Sequence, residues 1–350
     1  MKHVVVYHEV GKFAAWPANN GLWSWEGKEA LVGFTVGGYE EKKGHNINEP
    51  YHSFLAKSTD QGETWRAYEP ENFVGSDAPS VPLEAPLDFT EPGLALRFAG
   101  VGYHGGKRPE GAVFVSRDRG DTWQGPFTLG GIHRHPELHG GEITARTDYV
   151  VLGPHDLIVM MSARVGDSKT NRTFCARTTD GGLTFRFMSW VVSPSESARS
   201  IMPSTVRCAS GKLVTAVRRI AAESNSCWID AFASVDTGRW WTKIAQVNNP
   251  VGWSGNPPSL VALRDGRLCC VYGDRDRACI VAKYSPDEGR TWQGETILRD
   301  DYQRDSFDDP DLGYPRAFQR ADGLLMATYY WATKERPHHH IAGTIWDPRV

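Results

Sequence analysis

The segment GEITARTDYVVLG packs Glu142, Arg146, Asp148 and Tyr149 into eight residues. An apolar inner strand has no need of so much charge, so Arg146 and Asp148 are read as pointing into a channel, with a structural Arg–Asp pair as the alternative. A guanidinium fork matches a carboxylate with two parallel hydrogen bonds, and a suitably placed Asp can move a proton. A second concentration lies in GGYEEKKGHNINEPYHSF, where His45 and Glu49 are both able to transfer protons near neutral pH if their surroundings tune them; a solvated loop is the bland alternative. Asn19, Asn20 and Trp23 in NNGLW, with Asn256 in SGNPPSL, suit a sugar, through amide hydrogen bonds to hydroxyls and an aromatic face for the ring. His133, His135 and His139 in HRHPELHGGE have metal-like spacing beside Glu142, yet no Cys or second His cluster accompanies them. A polar loop is the preferred assignment there, and no metal or cofactor is expected. P-loop, dinucleotide and nucleophile-elbow motifs are absent from the sequence.

Elements able to position these residues announce themselves by repetition. Five octets share one pattern: STDQGETW, SRDRGDTW, TTDGGLTF, SVDTGRWW and SPDEGRTW. The Asp accepts backbone N–H groups of a tight turn and the Gly supplies positive φ. The closing aromatic is a plug for stacking neighbouring units. One octet departs: Trp240 stands where the other four carry Thr. The Asp residues at 60, 118, 180, 236 and 287 are 58, 62, 56 and 51 residues apart. That period suits a four-stranded propeller blade, and the chain length accommodates about six of them. Hairpins such as VRCASGKLVTAVRR and VALRDGRLCCVYG precede the octets, so each unit reads strand, turn, strand, connection, strand, octet, strand. The expectation is an all-β, six-bladed propeller spanning 1–350 as a single domain, its ring closed by the N-terminal strand HVVVYHEV joining the last blade.

Composition bounds the partners. A net charge of −3 gives no pull toward nucleic acid, and no apolar run is long enough to span a bilayer. Met1 leads straight into strand-like sequence, and six Cys lie mostly inside strand-like runs, which suits reduced core thiols and a cytoplasmic setting, or a secreted one if a leader was removed. Composition does not address oligomeric state.

The octets resemble the Asp boxes of the sialidase (neuraminidase) superfamily, whose members build six-bladed propellers. The resemblance implies a site of three carboxylate-clamping Arg residues, a Tyr nucleophile paired with a Glu, and an Asp acid/base. Carried over, DLGYPRAF opens the last blade and supplies Tyr314 as nucleophile, with Tyr329 and Tyr330 as competitors and Arg316 among the substrate-binding residues. KLVTAVRR supplies Arg219, with Arg218 as alternate, and VYGDRDRACI supplies Arg275 in preference to Arg277. Two positions depart. In KFAAWPANNGLWSW, Ala15 replaces the first Arg and Trp16 follows it; in SIMPSTV, Met202 occupies the place of the Glu. The implied activity is exo-hydrolysis of a terminal acidic sugar from a glycan. A polysaccharide lyase on a uronic-acid glycan and a non-catalytic glycan-binding propeller are the alternatives.

Overall fold

Short β-rich runs separated by glycine turns form six antiparallel sheets, one per repeat, arranged as the blades of a propeller. The computed structural model describes residues 1–73, 78–101, 108–165, 170–224, 226–249, 251–253, 257–308 and 310–349. The fourth blade shows the unit most plainly, with strands Arg199–Arg207, Leu213–Ile220, Ser226–Ser234 and Thr242–Gln246 in that order from the axis outward. The fifth repeats it with Ser259–Ala262, Leu268–Asp274, Cys279–Ser285 and Gln293–Arg299. In the first and third blades the inner strand is split. Lys12–Ala15 and Leu22–Trp25 both pair with Glu29–Tyr39, and Glu142–Thr144 and Tyr149–Gly153 both pair with Asp156–Arg164. The second blade shows three strands among its described residues. In the sixth, Gly313–Gln319, Leu325–Trp331 and His340–Trp346 are joined by Lys2–Tyr7, so the first strand of the chain is the outermost strand of the last blade. Among the described residues, helix is confined to Pro17–Asn20 and two short 3-10 turns.

Each octet links the third strand of a blade to the fourth. Asp60 accepts the backbone N–H of Thr64 at 2.9 Å and its hydroxyl at 2.5 Å, while Ser58 Oγ accepts the N–H of Gly62 at 2.8 Å. The same threonine-to-aspartate bond recurs at 122, 184 and 291. Glycine is required twice over at these turns. At Gly120, φ is 91°, and an added Cβ would lie 2.2 Å from Leu31 of the preceding blade. The closing Trp123 packs on Trp23 and Phe73, ring centroids 5.5 and 4.9 Å away, which glues one blade to the next.

Trp240 is the exception. It is 73% exposed, and Asp236 keeps its backbone donors but has no hydroxyl donor at this position. Trp240→Thr is therefore expected to raise stability by up to about 1 kcal/mol through the regained hydrogen bond. A thermal unfolding midpoint no higher than wild type would contradict this.

Near the axis, side chains stitch consecutive inner strands together. Asp148 accepts from the N–H and hydroxyl of Thr205 at 2.9 and 2.7 Å, Ser204 Oγ accepts from Leu260 N at 2.8 Å, and Ser259 Oγ accepts from Ala317 N at 2.9 Å. This belt runs from the third blade to the sixth and holds the strand starts rigidly.

Candidate active site

Four inner strands break at one residue in left-handed conformation: Trp16 (φ 62°), Thr147 (φ 47°), Met202 (φ 57°) and Tyr314 (φ 51°). Non-glycine residues rarely adopt this conformation, and it concentrates at functional sites. Three of the four precede proline, as Trp16-Pro17, Met202-Pro203 and Tyr314-Pro315. Pairing with the second strand slips at two of them, between Ile201 and Ser204 and between Gly313 and Arg316. Such bulges re-aim a side chain. Trp16, Met202 and Tyr314 accordingly fall in one buried cluster although they come from the first, fourth and sixth blades.

Tyr314 is 6% exposed, and Arg218 Nη1 donates to its phenol oxygen at 3.1 Å. The same nitrogen lies 3.8 Å from Met202 Sδ. Met202 thus stands beside the Tyr314–Arg218 pair, and a guanidinium donates to the phenol. Arg219 is corrected by this geometry. Successive residues of a strand face opposite sides, so Arg219 turns away from Tyr314 into Asp230 (2.9 Å) and Glu196 and lies over Trp228. Its neighbour Arg218 is the one at the site.

The second half of the cluster centres on Asp311, which the sequence analysis did not single out. Asp311 is 1% exposed. Its Oδ1 accepts from Arg275 Nη2 at 3.1 Å and Tyr330 Oη at 2.5 Å, and its Oδ2 lies 2.9 Å from His45 Nδ1. Arg275 also donates to Tyr330 Oη at 2.7 Å. Burial by itself would raise the Asp311 pKa, but the His45 hydrogen bond and the charges of His45, Arg275 and His339 outweigh it and hold the carboxyl below its usual range. Burial pushes the Tyr330 phenol well up. His45 therefore projects from the first blade onto a fixed carboxylate, its ring 4.9 Å from Trp16 and its side chain 37% exposed. Arg277 pairs instead with Asp274 and Glu295 at the rim, and Tyr329 with Thr344.

The remaining candidates divide. Trp16 is 1% exposed and packs on Phe13 and Tyr330, so it is wall and offers no open face for stacking. Asn20 is committed to Thr35, Trp16 O and Arg97. Asn19 is equally buried, yet neither its amide nitrogen nor its oxygen has a partner. Arg316 reaches the carbonyls of Ala18, Arg146 and Thr147, which makes it a brace holding the short helix Pro17–Asn20 across the axis. Arg146 donates to Ala145 O and lies near enough to Arg97 to depress its pKa.

Asp148 is separate from the Tyr314 group. Both its oxygens are taken by Thr205, and burial raises its pKa despite those bonds and the nearby Arg316. It lines an axial cavity of about 300 Å³ together with Trp23, Tyr149, Thr205, Ser259 and Ala317. Glu49 is exposed at a register shift in Ile47–Ser58, outside the Asp311 cluster. Glu142 pairs with Arg164, and Tyr149 is a half-buried packing residue against Phe98. Asn256 lies outside the described residues. His135 stacks on Phe187 at 4.6 Å, and among the described residues no group of three His, Cys, Asp or Glu converges as metal ligands.

Among the described residues, Arg97, Arg146, Arg218, Arg275 and Arg316 are buried around the axis together with the carboxylates Asp148 and Asp311. The hydrogen bonds of Arg218 go to a phenol and a thioether, and those of Arg97 to Phe73 O and Asn20 Oδ1. Burial, and then Arg146, lowers Arg97 to about 9. Buried charge without a counter-ion is costly to folding. Arg218→Met is therefore expected to unfold at a midpoint no lower than wild type; a drop of several degrees would show that the guanidinium is structural.

Fold and site together define a six-bladed propeller with an arginine-lined centre where the inner strands begin. Residues 76–327 match the family model described as a BNR repeat-like domain, and the chain belongs to that family. No curated protein matches it. Among solved structures, a protein of unknown function from Dyadobacter fermentans is 22% identical with a TM-score of 0.73, covering 98% of this chain and 97% of that one. A Hadza microbial sialidase is 16% identical with a TM-score of 0.65, over 96% and 66% of the two chains. An alpha-L-arabinofuranosidase of Fusarium graminearum, solved with an iminosugar inhibitor, is 15% identical with a TM-score of 0.61, over 99% and 98%. At these identities the likeness is one of fold.

Proposed function

We propose that this protein is a carbohydrate-active enzyme that releases a terminal acidic sugar from a glycan. The observation that carries the reading is Arg218, a buried guanidinium placed on the reactive oxygen of Tyr314 with no carboxylate among its described hydrogen-bond partners. An anionic sugar supplies the missing counter-charge. That a sialidase and an arabinofuranosidase share this ring is consistent with glycan chemistry.

In the hydrolytic form, Tyr314 Oη attacks the anomeric carbon and the bond to the leaving oxygen breaks. His45, oriented through Nδ1 by Asp311, gives its Nε2 proton to that oxygen. The phenol proton departs to solvent, and Arg218 stabilises the phenolate. A water molecule deprotonated by His45 then displaces Tyr314 and releases the sugar.

Met202 favours a second reading. With a thioether in place of the family's Glu and a guanidinium on the phenol oxygen, a Tyr314 phenolate held by Arg218 is suited to removing the proton α to a uronate carboxylate, after which the oxygen at the β carbon departs by elimination. One experiment separates these readings. Methyl sialosides and uronides, an oligouronide linked through O4 and neutral methyl glycosides are incubated with the protein, and both reducing sugar and ultraviolet absorbance are followed. Reducing sugar without new absorbance means hydrolysis, and an absorbing unsaturated product means a lyase. Turnover of neutral sugars alone, or binding without turnover, would defeat the proposal.

A further inference from the structure

The fourth octet departs from its siblings at an exposed position. In the other four, the threonine hydroxyl donates to Oδ2 of the aspartate, at Asp60, Asp118, Asp180 and Asp287. In the fourth, the Ser234 hydroxyl and the N–H groups of Arg239 and Trp240 all donate to Oδ1 of Asp236. Oδ2 is left without a donor among the described residues, and Asp236 is exposed. Trp240, in the threonine's place, is 73% exposed. The exchange takes a bond from the turn and sets an indole in water, so it does nothing for the fold. A local rule broken without structural return marks a functional position.

Asp236 and Trp240 line one cavity of about 200 Å³ with Lys212, Val235, Thr242 and Arg290. Val235 is exposed beside the indole. Arg290 is exposed and has no ion-pair partner among the described residues, whereas Lys212 is held by Glu288 at 3.0 Å. An aromatic face, a carboxylate acceptor and a guanidinium donor therefore surround one small space. A sugar uses all three. The C–H face of its ring lies on the indole, and neighbouring hydroxyls donate to the carboxylate and accept from the guanidinium. Other occupants fit less well. The two cations stand beside two carboxylates, Asp236 and Glu288, so no net charge draws a polyanion. A stable protein interface buries on the order of 1,200 Å² or more, far beyond one indole and one valine.

We infer that the fourth octet carries a second carbohydrate site, which takes one neutral sugar ring of a glycan on the face of Trp240, with hydroxyls on Asp236 Oδ2 and Arg290. It lies on the link between the third and fourth strands of its blade, away from the axis where the inner strands begin. It does not depend on turnover at Tyr314. Its effect is to hold the protein on a polymer, raising the local concentration of chain ends at the axis.

Native gels cast with soluble arabinan, galactan, xylan or pullulan test it, because a protein that binds the polymer is retarded. Wild type is expected to be retarded in at least one gel. Trp240→Thr, which restores the box and should fold at least as well as wild type, is expected to bind that polymer tenfold or more weakly. Arg290→Gln, at an exposed position, should also weaken binding, and it decides the matter should Trp240→Thr unfold early. Tyr314→Phe should be retarded as wild type is, which separates this site from the axis. Wild type running unretarded in every gel would overturn the inference. So would unchanged retardation of Trp240→Thr, which would place the polymer elsewhere. Sedimentation supplies a third contrary result: self-association of wild type that Trp240→Thr abolishes would make the indole a contact between copies of this chain. Each of these results leaves the activity proposed above standing, and a lack of turnover leaves the second site standing.

Discussion

Asp311→Ala is expected to lower the unfolding free energy at pH 7 by about 3–5 kcal/mol, the loss that follows when one partner of a buried ion pair is removed. Asp311 is almost fully buried and holds Arg275, Tyr330 and His45 from three different segments. Without it, the Arg275 guanidinium stays buried beside a phenol and a carbonyl. The pH dependence distinguishes this from a simple cavity effect. A carboxyl whose folded pKa lies below its unfolded value of ~4 stabilises fully above that value, and the contribution drains as pH falls through it. The gap between wild type and variant should therefore narrow steadily below about pH 4. Urea unfolding across that range checks it, and a gap independent of pH would show that packing, not charge, is what Asp311 contributes.

Tyr314→Phe is expected to reduce turnover by on the order of 10³-fold, within the range that proton-transfer and reacting groups contribute. Both chemical readings place the reacting oxygen on this residue, so the loss does not depend on which is right. Fold and binding should survive. Phenylalanine fills the same volume, and the left-handed backbone at φ 51° is no harder for it than for tyrosine. The variant should therefore bind the acidic sugar as well as wild type while failing to process it. A variant retaining more than a tenth of wild-type turnover would move the reacting role to another group, with Tyr330 the nearest phenol, its ring 6.0 Å away.

The fold was legible because an Asp box is a local object. Its Ser, Asp, Gly and Thr bond to one another within five residues, so the pattern reads directly from the string of letters. The site was legible only in part, for two physical reasons. Choosing Arg218 over Arg219 is a question of strand parity, and one position of error exchanges the axis for the blade interior. Asp311 acquires its meaning from His45, 266 positions away, and no local pattern signals that meeting. A usable signal was present in the bulky residue before proline at 16, 202 and 314, which marks three of the four left-handed breaks. Asp148 and Arg146 stand out in the sequence as excess charge, and they fall between the two halves of the third blade's inner strand, where both oxygens of Asp148 serve to hold the third blade to the fourth.

The pairing of Lys2–Tyr7 with His340–Trp346 sets the order of events during synthesis. Lys2 lies opposite Ile345, so strand Lys2–Tyr7 finds its partner only when His340–Trp346 has emerged from the ribosome. Until then the sixth sheet lacks its outer edge, and an apolar strand end waits exposed. The five octet-bearing blades can form in sequence as they appear, but the ring cannot shut before His340–Trp346 has been made. Deleting residues from either of these two strands would thus strike the same sheet from opposite sides, and loss of one strand would leave the other without a partner.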